Sequence, residues 1–143
     1  MAQGLKRIYL ALIIPAISAL FLAYGAKEIG LIPTNKNISL TLIAPCVFVL
    51  SVALAVALPI FIRSLFAHAM RHQKTVPEPT LIKFERRLMI ISLMTPYLIL
   101  PAYLLDFPNF YFTATVLMAL YAAYYFYPSE KRIQFERRLF RVQ

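Results

Sequence analysis

Four long apolar segments dominate the chain, and shorter polar segments separate them. At roughly 1.5 Å per helical residue, about 20 apolar residues cross the ~30 Å hydrocarbon core of a bilayer. Lipid offers no partner to an unpaired backbone amide or carbonyl, so segments that cross it form helices. The pattern therefore predicts an all-α membrane protein with four transmembrane helices, at residues 8–26, 38–62, 88–105 and 110–127.

Composition agrees with this prediction. Hydrophobic residues make up 61% of the 143 residues and the mean hydropathy is +0.70, which exceeds what a soluble domain of this size can bury. For the first segment a cleaved signal peptide is the alternative, because Lys6 and Arg7 precede a long apolar stretch. That stretch is longer than a usual signal core, which favours a transmembrane helix. The whole chain is interpreted as one transmembrane domain.

One seven-residue sequence motif occurs twice in the chain. Residues 82–88 read I-K-F-E-R-R-L and residues 133–139 read I-Q-F-E-R-R-L, each beside an apolar segment. We interpret the chain as two tandem helical hairpins, in halves at about 1–87 and 88–143. Each half carries one copy of the motif, and we call each copy a basic elbow.

Charge predicts the orientation of the helices. Lysine and arginine stay in excess on the cytoplasmic side of membrane proteins. Of the 15 basic residues, all but Lys27 and Lys36 lie in segments that the four-helix pattern places on one side. The sequence therefore predicts both termini in the cytoplasm, in an arrangement typical of a prokaryotic inner membrane. The repeat agrees, because an even number of transmembrane helices separates its copies.

The elbows carry the candidate binding residues. In the predicted tail at 129–143, Phe135 and Leu139 fall on one helical face and arginines on another, as in a helix that lies in the lipid interface. Basic residues near such a surface attract anionic head groups by about 1 kcal/mol each. The alternative is that these arginines only fix topology. The candidates for binding anionic lipid or a partner chain are Arg86, Arg87, Arg137, Arg138 and Arg141.

Prolines interrupt the predicted transmembrane helices. A proline removes one backbone donor and clashes with the preceding turn, so it predicts a kink. Transporters use such bends to expose backbone carbonyls, although proline is also common in membrane helices generally. The predicted kinks are at Pro15, Pro45, Pro59, Pro96 and Pro101.

Two further groups could bind a ligand. His68 and His72 share a helical face and could begin a metal site, but zinc needs more ligands, so contact with water or lipid phosphate is favoured. Tyr121, Tyr124 and Tyr125 could stack on a flat cofactor such as a quinone, whereas anchoring at the membrane interface is the commoner use. We predict no cofactor, no metal and no nucleic-acid partner.

The predicted transmembrane segments contain no ionisable Asp, Glu, Lys, Arg or His, the residues that mark ion and proton pathways. This favours a non-catalytic accessory, anchoring or assembly subunit of a larger inner-membrane complex, with the bilayer, anionic head groups and other membrane chains as partners. The first alternative is a small homo-oligomeric transporter or channel. The second is a membrane enzyme whose chemistry would rest on His68, His72, Glu78 or Glu85.

The orientation predicts a labelling pattern for single cysteines in a Cys46→Ser background. Cysteines at positions 2, 80 and 143 should react only with reagents on the cytoplasmic side. A cysteine that replaces Asn35 should react from outside. Labelling of position 143 from outside would contradict the predicted orientation.

Overall fold

The computed structural model describes residues 2–32, 40–72 and 76–140. Within these residues the protein is helical and contains no strand. The α-helices are α1 (Ala2–Glu28), α2 (Leu40–Val52), α3 (Leu58–Ala69), α4 (Glu78–Leu93), α5 (Ile99–Leu104), α6 (Asn109–Tyr125) and α7 (Glu130–Leu139). The first residues of the second predicted transmembrane segment, and Arg141, lie outside the described residues.

Three helical stretches in the described part of the chain are long and apolar enough to cross a membrane: Gln3–Glu28, Thr41–Ala69 and Glu78–Leu104. The second joins α2 to α3 and the third joins α4 to α5. The fourth predicted segment corresponds to α6, whose 17 residues extend about 25 Å. That length is less than the ~30 Å of a typical hydrocarbon core.

Large apolar side chains cover the outside of the long helices. Phe21 and Leu22 on α1 are 73% and 74% exposed, and Leu42 and Ile60 on the second stretch are also exposed. Contiguous exposed apolar surface of this kind marks an interaction with membrane or protein. Together with the length of the helices, it supports an integral membrane protein.

Irregular turns interrupt two of the long stretches near prolines. A π-helical turn at Ala53–Ala57 joins α2 to α3 just before Pro59, and the Leu58 amide donates to the Ala53 carbonyl. A 3₁₀ turn at Thr95–Leu98 contains Pro96 and joins α4 to α5. Because proline supplies no backbone donor, the regular hydrogen-bond ladder cannot continue through these positions. Pro15, Pro45 and Pro101 lie inside α1, α2 and α5.

One end of the bundle, here called the α7 end, holds two apolar clusters. In the first, Leu5 and Tyr9 of α1 pack with Met89 and Leu93 of α4 and with Ile133 of α7. The second cluster joins α3, α4, α6 and the end of α7 through Leu81, Phe84, Leu88 and Phe126, with Ile62, Phe66 and Phe140 against them. The first described turns of α1 therefore lie at the same end as α7.

The opposite end, here called the Asp106 end, is closed by smaller side chains. Ala44 of α2 and Ala102 of α5 are fully buried and pack with Phe107. Lys27, at the end of α1, forms an ion pair with Asp106, and its ammonium lies 4.6 Å from the centre of the Tyr103 ring. Asp106 has a positive φ of 49°, which lets the chain reverse between α5 and α6.

The tight packing around Phe107 at the Asp106 end predicts that larger side chains cannot be accommodated at Ala44 or Ala102. Ala44→Leu and Ala102→Leu should each lower the free energy of unfolding by about 1–3 kcal/mol, because added methylenes overpack a filled contact. Ala67→Leu, at an exposed position of α3, is the matched control and should change little. Thermal unfolding in detergent checks this, and equal effects of all three variants would contradict the packing.

Candidate functional site

The site at the α7 end is built around α7 itself. Pro128 precedes the helix, and the Ser129 hydroxyl caps it by accepting a hydrogen bond from the Arg132 amide at 3.3 Å. Glu130 lies in the first turn, where an acidic side chain interacts favourably with the helix dipole. These local features favour a helix that begins at Glu130, directly before the second elbow.

Helix α7 presents different residues inwards and outwards. Ile133 and Glu136 are buried against the bundle, whereas Phe135 and Leu139 are 63% and 56% exposed. The predicted apolar face of the tail therefore points away from the bundle. An exposed apolar pair on a helix with basic residues is typical of a helix at a membrane interface.

The glutamate of each elbow forms an ion pair with a distant arginine. Glu85 on α4 pairs with Arg132 on α7, with 3.3 Å between Oε2 and Nη2. Glu136 on α7 pairs with Arg63 on α3. Both carboxylates are buried, Glu85 at 7% and Glu136 at 2% exposure. Two ion pairs thus connect α7 to two different helices.

The two ion pairs form one charge-balanced group, which we call the quartet: Arg63, Glu85, Arg132 and Glu136. The charge of Arg63 also acts on Glu85 and Arg132, so the pairs are electrostatically coupled. Burial lowers the pKa of the Arg132 guanidinium, and the Glu85 carboxylate opposes that change. Arginine side chains stay protonated in proteins, so Arg132 faces Glu85 as a cation.

Further contacts fix the arginines of the quartet. Arg132 donates to the Tyr125 carbonyl at 2.8 Å, and its guanidinium lies 5.0 Å from the centre of the Phe126 ring. Arg63 donates to the Tyr125 hydroxyl at 3.3 Å. Among the described residues, Glu85 Oε1, Glu136 Oε2 and the Nε of Arg63 have no hydrogen-bond partner. Each charge of the quartet thus has a partner of opposite sign, but within the described residues three of its polar atoms have no hydrogen-bond partner.

The four predicted binding arginines that the structure describes fall into two groups. Arg86, Arg87 and Arg138 are exposed, and none of the ion pairs between described residues includes them. Arg137 is partly buried and lies 3.7 Å from the Glu78 carboxylate. Arg141 is outside the described residues. Three of the five candidates are thus available to a ligand, and a fourth is partly engaged within the protein.

The sequence interpretation considered Glu85 only as an acid of the enzyme alternative, and it missed the ion pairs that the glutamates of both elbows form. A signal for them was present, because the chain has only six acidic residues and each copy of the repeat carries one directly before its arginine pair. The arginines at 63 and 132 lie outside the repeat, so spacing along the chain could not identify them as partners. The two copies also differ in burial, since Phe84 and Leu88 are buried whereas Phe135 and Leu139 are exposed.

A pocket of about 420 Å³ opens between α3 and α4 at the α7 end. Its cationic residues are Lys83 and Arg87, one helical turn apart on α4 and both exposed. The remaining lining is mostly apolar: Ile62, Leu65, Phe66, Met70, Thr80 and Phe84. We call it the α3–α4 pocket.

The histidines and tyrosines lie apart from this pocket. His68 and His72 are exposed at the end of α3, and no group of three metal-ligating side chains occurs in the part of the chain that the structure describes. Tyr121 and Tyr125 stack with ring centres 5.5 Å apart and border a cavity of about 90 Å³ beside Pro59 and Arg63. Ligand pockets usually measure about 300–1,000 Å³.

Compared with protein-family models, curated proteins and solved structures, the chain has no significant match.

The quartet predicts that the buried glutamates hold α7 in place. Glu136→Gln leaves Arg63 without its counter-charge, and breaking a buried pair in this way costs about 3–5 kcal/mol. Backbone amides of α7 should then lose most of their protection in hydrogen exchange. Glu85→Gln should have the same effect, because it leaves Arg132 without its counter-charge.

Glu130→Gln is the control on the same helix. This side chain is exposed, and its loss removes only an interaction with the helix dipole of at most about 1 kcal/mol. Similar exchange rates in Glu136→Gln and Glu130→Gln would contradict the assigned role of the quartet.

Proposed function

We propose that this protein is a non-catalytic accessory, anchoring or assembly subunit of a larger inner-membrane complex. Its α7 end faces the cytoplasm and binds anionic lipid or an acidic surface of a partner chain. The observation that carries the proposal is the separation of charges at this end. Glu78, Glu85 and Glu136 pair with arginines of the protein, while Arg86, Arg87 and Arg138 remain exposed.

The proposal includes four transmembrane helices with both termini in the cytoplasm. Supporting it, Leu5 near one terminus and Ile133 near the other share a cluster at the α7 end. Basic residues concentrate at this end, as the positive-inside rule expects of a cytoplasmic face. The short α6 would cross the bilayer with help from its flanking aromatic residues, or with local thinning of the bilayer.

The state of the ionisable groups argues against catalysis as the main activity. Acids that act as general acids or bases need access to a substrate. Glu85 and Glu136 instead lie buried against arginines that neutralise them. Glu78, the other acid of the enzyme alternative, lies beside Arg137.

One observation favours a small transporter as the second candidate. Ser92 and Thr95 are fully buried, and their hydroxyls have no hydrogen-bond partner among the described residues. Thr95 is the first residue of the 3₁₀ turn that contains Pro96, and Ser92 lies just before that turn in α4. Unpaired polar groups beside an interrupted helix are a feature of transporter binding sites.

Reconstitution and co-purification separate the two candidates. The proposal predicts a co-purifying chain or anionic lipid that is lost when Arg86, Arg87, Arg137 and Arg138 are all changed to Gln, since each exposed basic residue contributes about 1 kcal/mol near the surface. Lys27→Gln, at the Asp106 end, is the control and should retain the ligand.

Purified protein alone in liposomes should show no solute flux. Solute flux that is abolished by Ser92→Ala or Thr95→Val would instead establish the transporter. Retention of the same partner and lipid by the fourfold variant would contradict the proposed docking role.

A further inference from the structure

The α3–α4 pocket combines an apolar floor with a cationic edge. Phe66 and Phe84 form the centre of the floor and stack with ring centres 4.0 Å apart. Phe140, just after α7, contacts both rings edge-on, at 5.1 and 6.1 Å between ring centres. The aromatic contacts hold the floor in a defined shape without a ligand. Such preorganisation reduces the entropy that binding would cost.

The cationic edge lacks a counter-charge within the described residues. Lys83 and Arg87 form no ion pair there, and the nearby acids of α4, Glu78 and Glu85, pair with Arg137 and Arg132. Two cations at i and i+4 lie on the same helical face. Arginine matches the geometry of a phosphate through two parallel hydrogen bonds, and lysine adds a second positive charge.

We propose that the α3–α4 pocket binds one anionic diacyl phospholipid. Lys83 and Arg87 bind the phosphate and its head group, and the upper part of an acyl chain lies along Leu65 and Phe66. The inference rests on the proposed function, because it requires the α7 end to lie at a membrane interface. It goes beyond general attraction to a basic surface, since it assigns one lipid to one pocket and includes Lys83, which lies outside the predicted binding set.

The position of the pocket favours lipid over an acidic peptide. It opens where the Thr41–Ala69 and Glu78–Leu104 stretches approach each other at the α7 end, and Leu65 on its wall is 53% exposed. Both an acyl chain and a phosphate find complementary surface there. A peptide would satisfy the charges but would need to enter the hydrocarbon region to contact Leu65.

Native mass spectrometry of the purified protein tests the proposal, with phosphatidylglycerol titrated against phosphatidylcholine of the same acyl chains. The protein should bind one phosphatidylglycerol in preference. Lys83→Gln and Arg87→Gln should each weaken this binding about fivefold, which corresponds to about 1 kcal/mol per charge near the surface. Leu65→Trp should weaken it also, by filling the wall of the pocket without changing its charge.

Arg7→Gln and Lys131→Gln are the matched controls, because they remove exposed charges that neither line the pocket nor belong to the predicted binding set. Both should bind the lipid with little change. Excess glycerol phosphate, which has the anionic group but no acyl chain, should not displace it.

The outcomes separate this inference from the proposed function. Equal weakening by all four charge variants would overturn the pocket and leave a diffuse basic surface in place. Displacement by glycerol phosphate would overturn the lipid assignment. Binding without preference for phosphatidylglycerol in every variant would overturn the pocket and also remove lipid binding from the proposed function.

Discussion

The architecture of the α7 end depends on two buried carboxylates. Glu85 and Glu136 lie where a lone charge would be costly, because neither lipid nor the protein interior solvates it as water does. Each is stable there because an arginine from another helix neutralises it. The pairing requires α3, α4 and α7 to meet in one arrangement. A shift of α7 along the bundle would leave two negative and two positive charges without partners.

This requirement gives the ion pairs a role beyond stability. A buried ion pair often contributes little compared with a well-packed apolar pair, since desolvation offsets the attraction, but breaking one partner is costly. The quartet therefore selects one position for α7 more than it strengthens the fold. With α7 fixed, Phe135 and Leu139 face outwards and Phe140 reaches the aromatic floor of the α3–α4 pocket. The surface proposed to bind lipid is thus assembled by contacts of the quartet.

Much of the fold could be predicted from the sequence, because hydropathy alone identifies long helices for a lipid environment. The residues at which these helices begin and end were less predictable. The third transmembrane segment was expected from residue 88, whereas α4 begins at Glu78 and includes the whole first elbow. Hydropathy marks where a helix leaves lipid, and charged residues such as Lys83 and Arg86 do not end a helix. The π-helical turn before Pro59 could not be predicted either. The missing amide of a proline predicts that the helix is interrupted, but it does not predict whether the interruption is a kink, a 3₁₀ turn or a π-helical turn.

The candidate site was predictable only in part, for a physical reason. Exposed arginines such as Arg86 are evident from charge patterning. Whether a charge is free depends on tertiary pairing, and the partners Arg63 and Glu136 are far apart in the chain. The repeat directed attention to the arginines because both copies carry a pair of them. The structure places the glutamates of both copies inside the protein, where their contacts hold α7 against the bundle.

A double-mutant cycle between Arg63 and Glu136 tests the central claim most directly. Arg63→Met and Glu136→Leu would be made singly and together, and the free energy of unfolding measured in bicelles. We predict that each single variant loses about 3–5 kcal/mol and that the double variant loses far less than their sum, because no charge is then left unpaired. Additive losses, with a coupling energy near zero, would show that this ion pair does not hold α7 in place.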